Sequence, residues 1–232
     1  MKQFREKHIE TQSEWEADLS EKVLKLVRNE LYLDLRFLDI ALSALVYRAD
    51  DNIHTFATDG RYLYYSSEQV LRVFQTNPKY LDRAYLHTVL HCIFSHLWIG
   101  GSRDRRRYHL ACDIAVEYTI DRMNKPCTKR ILSWQRQKLY EELEQSKEGL
   151  SAAVIYRYLS GKTKEEQILL EREFYTDDHR YWPKEEQKRA ANEDARKQWD
   201  KIARQTSMEK KQRGDEDADG EELLAAQLKV QK

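Results

Sequence analysis

The sequence has little glycine and proline, with 7 Gly and 3 Pro among 232 residues. So few turn-forming residues exclude a turn-rich β architecture, and helices should dominate. Long apolar runs are also lacking, since no stretch approaches the roughly 18 residues that a membrane span needs. The charged start of the chain has no apolar signal-peptide core. We therefore expect a cytoplasmic protein without a membrane segment.

Cysteine is scarce, and charge of one sign is not in excess. Cys92, Cys112 and Cys127 make an odd number without a C-x-x-C pair. Cys92 and Cys112 lie in apolar helical patterns, where cysteine acts as a small buried hydrophobe. The 40 basic and 40 acidic residues balance, which argues against a generally basic, nucleic-acid-binding protein.

The apolar residues, 41% of the chain, are enough for a sizeable core. Ser13 and Glu16 form a capping-box pattern, and the apolar residues after them recur every three or four positions, which predicts a helix that ends near Tyr47. The segments 53–57 and 61–65 are rich in β-branched and aromatic residues and flank an Asp-Gly turn, which predicts a hairpin. The expected fold is mainly α with a small β-hairpin or sheet, an α+β class.

Composition divides the chain into three parts. Residues 1–183 carry the apolar patterns and are predicted to form the main domain. Residues 184–213 read as a very polar helix, either solvated or available to a partner. Residues 214–232 begin with an acidic run typical of linkers, which suggests a fragment of a longer protein.

Three of the seven histidines fall within ten residues. His87 and His91 are four apart on a helix predicted from Leu81 to Trp98, so both rings lie on one face and can reach one tetrahedral Zn²⁺. His96 lies about 140° further around and joins them only if the helix unwinds near Ser95. The alternative is a pair of partly buried, hydrogen-bonded histidines without a metal.

The residue after His87 decides what such a site can do. In H-E-x-x-H metallopeptidases a glutamate there deprotonates the zinc-bound water. Here it is Thr88, whose hydroxyl has no useful basicity near neutral pH. The pattern therefore predicts a ligand pair without its catalytic base.

Four segments in this order resemble a bacterial metallopeptidase-like family that precedes a von Willebrand A-like domain. They are the strand-turn-strand segment 55–64, the helix segment 87–96, the segment 111–116 and the D-D-H-x-x-W segment 177–182. The resemblance implies a zincin-like fold, bound zinc and a peptide or protein substrate. It also implies a following von Willebrand A-like domain and a MoxR-type AAA+ ATPase as partner.

The resemblance brings three further candidates to the site. Asp113 is either a metal ligand or the partner of a histidine's second ring nitrogen. Glu117 stands where many members have Asn, and a surface or ion-pair role is favoured over that of an added ligand or displaced base. His179 is another candidate ligand, although the segment 177–179 could equally cap or lock a loop.

The favoured function is a metal-binding, metallopeptidase-like domain with weak or no hydrolysis, a pseudoenzyme. One alternative is a hydrolase in which Glu117 or Asp113 serves as the base. The other is a non-catalytic interaction module that works with the ATPase. The resemblance also places the hairpin along a cleft above the histidine helix, where a peptide adds by strand pairing.

Overall fold

The structure is a computed structural model that describes residues 11–145, 150–184 and 191–213. Its helices are α1 Gln12–Asp34, α2 Asp39–Leu42, α3 Ser67–Thr76, α4 Pro78–Ile93, α5 Arg105–Met123, α6 Trp134–Glu144, α7 Ala152–Ser160, α8 Lys164–Phe174 and α9 Ala191–Arg213. Its strands are β1 Val46–Ala49, β2 Phe56–Thr58, β3 Tyr62–Tyr65 and β4 Asp177–Asp178. The predicted α+β class is confirmed. Within these residues no helix combines the length and apolarity that would take it through a bilayer.

Helix α1 begins two residues earlier than predicted and ends sooner. Thr11 is the N-cap and forms the capping box with Glu14, in place of the predicted Ser13 and Glu16. The predicted continuation to Tyr47 is wrong, because Leu35 leaves the helical region (φ −134°, ψ 51°). A 3₁₀ turn and the short α2 follow and still bury apolar side chains, so the spacing of the apolar residues did not reveal the break.

The sheet has the strand order β1-β3-β2-β4. The predicted hairpin is confirmed as antiparallel β2 and β3, with Gly60 at φ +89° in the turn. Strand β1 adds parallel to β3, and β4 adds parallel to β2. Both hairpin strands are therefore interior, so the predicted placement of the hairpin along an open cleft is wrong. The edge strand beside the histidine helix is β4.

Helix α4 is the central element, and every residue from Leu81 to Ile93 in it is buried. Pro78 starts it, where the missing N–H costs no hydrogen bond. It ends at Ile93 and not at the predicted Trp98, and Ser95 has a left-handed backbone (φ 56°). The unwinding that would bring His96 back towards His91 is thus present.

The last helix is not solvated along its whole surface, contrary to the sequence-based expectation. Trp199 is 1% exposed, and its indole N–H donates to the Gly60 carbonyl at 2.7 Å. Ala195 and Ile202 are buried with it in the main core. Helix α9 therefore covers α4 and the hairpin turn. The predicted acidic linker, residues 214–232, lies outside the described residues.

Asp82, on α4, is a buried carboxyl group whose ionisation should make stability depend on pH. Burial, followed by the neighbouring Glu30, raises its pKa to about 8, against about 4 in an unfolded chain. Because the folded pKa is the higher one, this group favours the folded state fully below about pH 4, and the benefit is lost as the pH rises through about 8. We expect the melting temperature of Asp82→Asn to fall less than that of the unmodified chain when the pH is raised from 5 to 9. Thermal unfolding followed by circular dichroism measures both melting temperatures.

The matched control is Asp51→Asn, a change at an exposed aspartate, which should leave the pH dependence of the melting temperature unaltered. Parallel curves for Asp82→Asn and the unmodified chain would contradict the assignment.

Candidate metal centre

Helix α4 carries the two histidines that the sequence singled out. His87 and His91 are fully buried, and their Nε2 atoms are 2.8 Å apart. The one-turn spacing thus brings both rings to one point, as predicted. Every residue of α4 from Leu81 to Ile93 is buried, so this point lies in the interior of the domain.

Asp113 reaches the same point from α5. Its Oδ1 lies 3.3 Å from His91 Nε2 and 3.6 Å from His87 Nε2. It therefore faces the nitrogens that converge, not their second ring nitrogens. This position matches the ligand alternative for Asp113.

Strand β4 and the turn after it bring two more donors. Asp177 Oδ1 lies 3.5 Å from His87 Nε2. His179 Nε2 lies 2.9 Å from Asp177 Oδ1 and 3.1 Å from Asp113 Oδ1. The loop-capping role considered for this segment falls to Asp178, whose side chain accepts from the Arg180 N–H. The sequence prediction included His179 but missed Asp177, although both belong to the D-D-H-x-x-W segment.

Three of these buried atoms, each able to bind a metal ion, make no hydrogen bond that meets the usual geometry within the part of the chain that the structure describes. They are Asp113 Oδ1, Asp177 Oδ1 and His179 Nε2. Buried polar groups are otherwise almost always satisfied. His87, His91, Asp113 and Asp177 also offer donor atoms within 4.8 Å of one another. Imidazole nitrogens and carboxylate oxygens are the donors that zinc takes at about 2.0–2.2 Å, so these residues fit a divalent metal ion.

The second ring nitrogens of the α4 histidines have partners of their own. His87 Nδ1 lies 2.9 Å from Glu117 Oε1, and His91 Nδ1 lies 3.0 Å from His96 Nδ1. A relay of hydrogen bonds from His96 through His91 and His87 to Glu117 would satisfy these rings without any metal. It leaves Asp113 Oδ1, Asp177 Oδ1 and His179 Nε2 without a well-directed hydrogen bond, since these atoms meet one another only as ion pairs at 2.9 and 3.1 Å. A metal ion shared by these atoms would satisfy them together with the two rings, and for this reason the metal interpretation accounts for more of the site.

Glu117 is fully buried and belongs to an ion-pair network. Of the favoured surface or ion-pair role, the surface part is therefore wrong and the ion-pair part is confirmed. Arg83 Nη2 donates to its Oε2 at 2.7 Å, and Arg136 contacts the same oxygen. Burial acts to raise the pKa of Glu117, but Arg83, His87 and Arg136 outweigh it and hold the pKa well below its usual range. Glu117 is thus an anion behind His87, where it fixes the ring and its tautomer.

Thr88 occupies the position of the missing glutamate. Its hydroxyl lies 3.0 Å from the Ala84 carbonyl oxygen and 3.2 Å from Asp177 Oδ2, and it can donate to either. The hydroxyl is thus used in linking α4 to β4. Asp177 is thereby held with its other oxygen, Oδ1, towards the histidines.

The electrostatics of the site reflect close packing of carboxylates and imidazoles. Burial acts to lower the pKa of His179, but Asp113 and Asp177 raise it to about 9. His87 behaves in the same way and has a raised pKa. Burial dominates at His91 and lowers its pKa to about 4. The pKa values of both aspartates are held below their usual range by the histidines, despite burial. Both carboxylates are therefore anions, with protonated His179 and His87 as their counter-charges. A metal ion bound here would take the place of those protons.

Aromatic rings pack around His179 and fix its position. Trp182 stacks on His179, with ring centroids 3.8 Å apart and planes 24° apart. His109 packs edge-on against both rings at 4.7 Å. The tryptophan of the D-D-H-x-x-W segment thus positions its histidine.

A buried constellation of histidines and aspartates on a helical scaffold is typical of metal-dependent proteins. Residues 20–231 match the protein family described as "putative metallopeptidase domain", and the chain belongs to that family. No curated protein and no solved structure matches the chain.

Proposed function

We propose that this protein is a metal-binding, metallopeptidase-like domain, with zinc as the expected ion, in which hydrolysis is weak or absent. The observation that carries the proposal is the convergence of buried donor atoms, three of them unsatisfied, beside Thr88. A bound divalent ion would polarise a carbonyl oxygen and lower the pKa of bound water. His87, His91 and Asp113 are the proposed core of the ligand set.

The reason for weak hydrolysis is the absence of a free base at the position of Thr88. The hydroxyl there is occupied by hydrogen bonding. Glu117, the displaced base considered from the sequence, bonds His87 from the side opposite the converging nitrogens and is neutralised by two arginines. A general base must lie within hydrogen-bond reach of the water that it activates.

Elemental analysis of protein purified without added metal tests the binding. The unmodified chain should carry about one ion per chain, and His87→Ala should carry almost none. His54→Ala, at an exposed histidine outside the site, is the matched control and should retain the ion. A stoichiometry near zero in the unmodified chain, unchanged by added zinc, would reject the proposal.

A peptide-cleavage assay tests the proposal that hydrolysis is weak or absent. With a mixed library of unstructured peptides, the metal-loaded chain should give no more cleavage than the metal-free chain. Cleavage that a chelator abolishes and zinc restores would show that the site has kept a working base, and the inactivity would then be disproved.

A second candidate function is that of an interaction module working with a MoxR-type AAA+ ATPase, as the family resemblance implies. Two large apolar side chains close in sequence, Ile131 and Trp134, are 96% and 70% exposed, which favours a protein contact. Binding of the ATPase should be lost in the Ile131→Lys, Trp134→Lys double variant and kept in Met208→Lys. Equal binding by both variants would count against this surface.

A further inference from the structure

We infer that the metal centre is closed, with five protein donors around the ion, so that the ion joins three parts of the chain and holds no reactive water. This inference rests on the metal binding proposed above. The donors are the Nε2 atoms of His87, His91 and His179 and the Oδ1 atoms of Asp113 and Asp177. Catalytic zinc keeps an open position beside three protein ligands, whereas structural sites are filled by protein.

The distances among the donors suit one shared ion. Atoms bound to one ion at about 2.0–2.2 Å lie on the order of 3–4.3 Å apart. Asp113 Oδ1 is 3.3 Å from His91 Nε2, and Asp177 Oδ1 is 3.8 Å from the same atom. His179 Nε2 closes the other side, 2.9 and 3.1 Å from the two carboxylate oxygens. The donor atoms of His87, His91, Asp113 and Asp177 lie within 4.8 Å of one another, and His179 joins them through its contacts with the two carboxylates.

Solvent does not reach the donor atoms. Asp113 Oδ1, Asp177 Oδ1 and His179 Nε2 are all inaccessible, and the side chains of His87 and His91 are 0% exposed. A cleft of about 590 Å³ is lined by Asp113, Asp177 and His179 among other residues. The donor atoms of these three residues nevertheless have almost no solvent-accessible surface.

The side chains of Thr88 and Asp177 are linked by a hydrogen bond. The Thr88 hydroxyl lies 3.2 Å from Asp177 Oδ2, which leaves Oδ1 to face the ion. The Thr88 hydroxyl therefore helps to hold Asp177 in the position of a metal ligand.

The charges also balance without an added anion. Asp113 and Asp177 neutralise a divalent cation, while Arg83 and Arg136 take up the charge of Glu117. Three imidazoles with two carboxylates are donors of the borderline kind that first-row divalent ions accept. A bound hydroxide is not needed for neutrality.

The experiment uses the purified full chain loaded with Co²⁺, whose visible spectrum reports on its coordination. Acetohydroxamate is titrated into it, because this bidentate ligand binds an ion with an exchangeable position. We expect a cobalt spectrum that stays unchanged at large excess of acetohydroxamate. A saturable, one-to-one change would overturn the closed site while leaving the proposed metal binding intact.

Two variants test whether the removal of one ligand opens a position on the ion. Asp177→Ala removes one donor and should bind Co²⁺ and then give the acetohydroxamate-dependent change, whereas His54→Ala should behave as the unmodified chain. If Asp177→Ala does not fold, the titration of the unmodified chain still decides. Failure of the unmodified chain to bind Co²⁺ would reject the proposed function itself, an outcome distinct from an open site.

Discussion

Glu117→Ala should be among the most destabilising single substitutions in this chain, at about 3–5 kcal/mol, because it removes the fully buried carboxylate that two buried arginines share. Arg83 and Arg136 have side chains only 4% and 1% exposed, and both contact the Glu117 carboxylate. Asp121 also contacts both arginines, and Glu173 pairs with Arg136, so the expected loss comes from the buried ion pairs and hydrogen bonds that Glu117 itself makes. Urea unfolding followed by circular dichroism measures the change.

Asp18→Ala is the control for this prediction. It breaks the exposed pair with Lys22, whose side chains are 54% and 66% exposed, and should cost no more than about 1 kcal/mol. A Glu117→Ala variant as stable as this control would contradict the buried network. Glu117→Gln keeps a hydrogen-bonding group for His87 but not the charge, so it separates the positioning of the ring from the ion pairs.

Trp199→Ala should cost about 3–5 kcal/mol, the range typical of a buried tryptophan replaced by alanine. The indole fills the space between α9 and the hairpin turn and donates to Gly60. Trp199→Phe keeps most of the packing and loses the hydrogen bond, so about 1–3 kcal/mol is expected. Urea unfolding monitored by far-ultraviolet circular dichroism is the measurement.

Met208→Ala is the matched control on the same helix. Met208 is 62% exposed, and its substitution should change stability by no more than about 0.5 kcal/mol. If Trp199→Ala and Met208→Ala unfolded at the same urea concentration, α9 would not be part of the cooperative domain.

Local signals in the sequence were enough to predict the hairpin and the pair of histidines at the centre of the site. The Asp-Gly turn predicted the hairpin, and the four-residue spacing of His87 and His91 placed both rings at one point. Both features depend on neighbouring residues along the chain. Cys92 and Cys112 are free and buried, as the apolar patterns around them indicated.

What the sequence could not reveal depends on distant contacts. Strand β4 has only two residues, both aspartates, and exists because it pairs with β2. Strand β1 is mostly exposed, so it lacks the apolar alternation of a half-buried strand. For Glu117 the sequence left a surface role and an ion-pair role undivided, because its partners are 34 and 19 residues away. Asp177 was missed for the same reason, since its contacts on α4 lie 89 residues earlier.

Because the proposed metal ligands are far apart in the sequence, they are synthesised at different times. The residues of α4 and α5 leave the ribosome well before β4, and the 64 residues from Asp113 to Asp177 take about 3–13 s to translate at 5–20 residues per second. During this interval three donors have been synthesised without the other two, so an ion bound by them would keep exchangeable positions. The choice of metal can then be made early, and the arrival of the last segment retains whichever ion is already there.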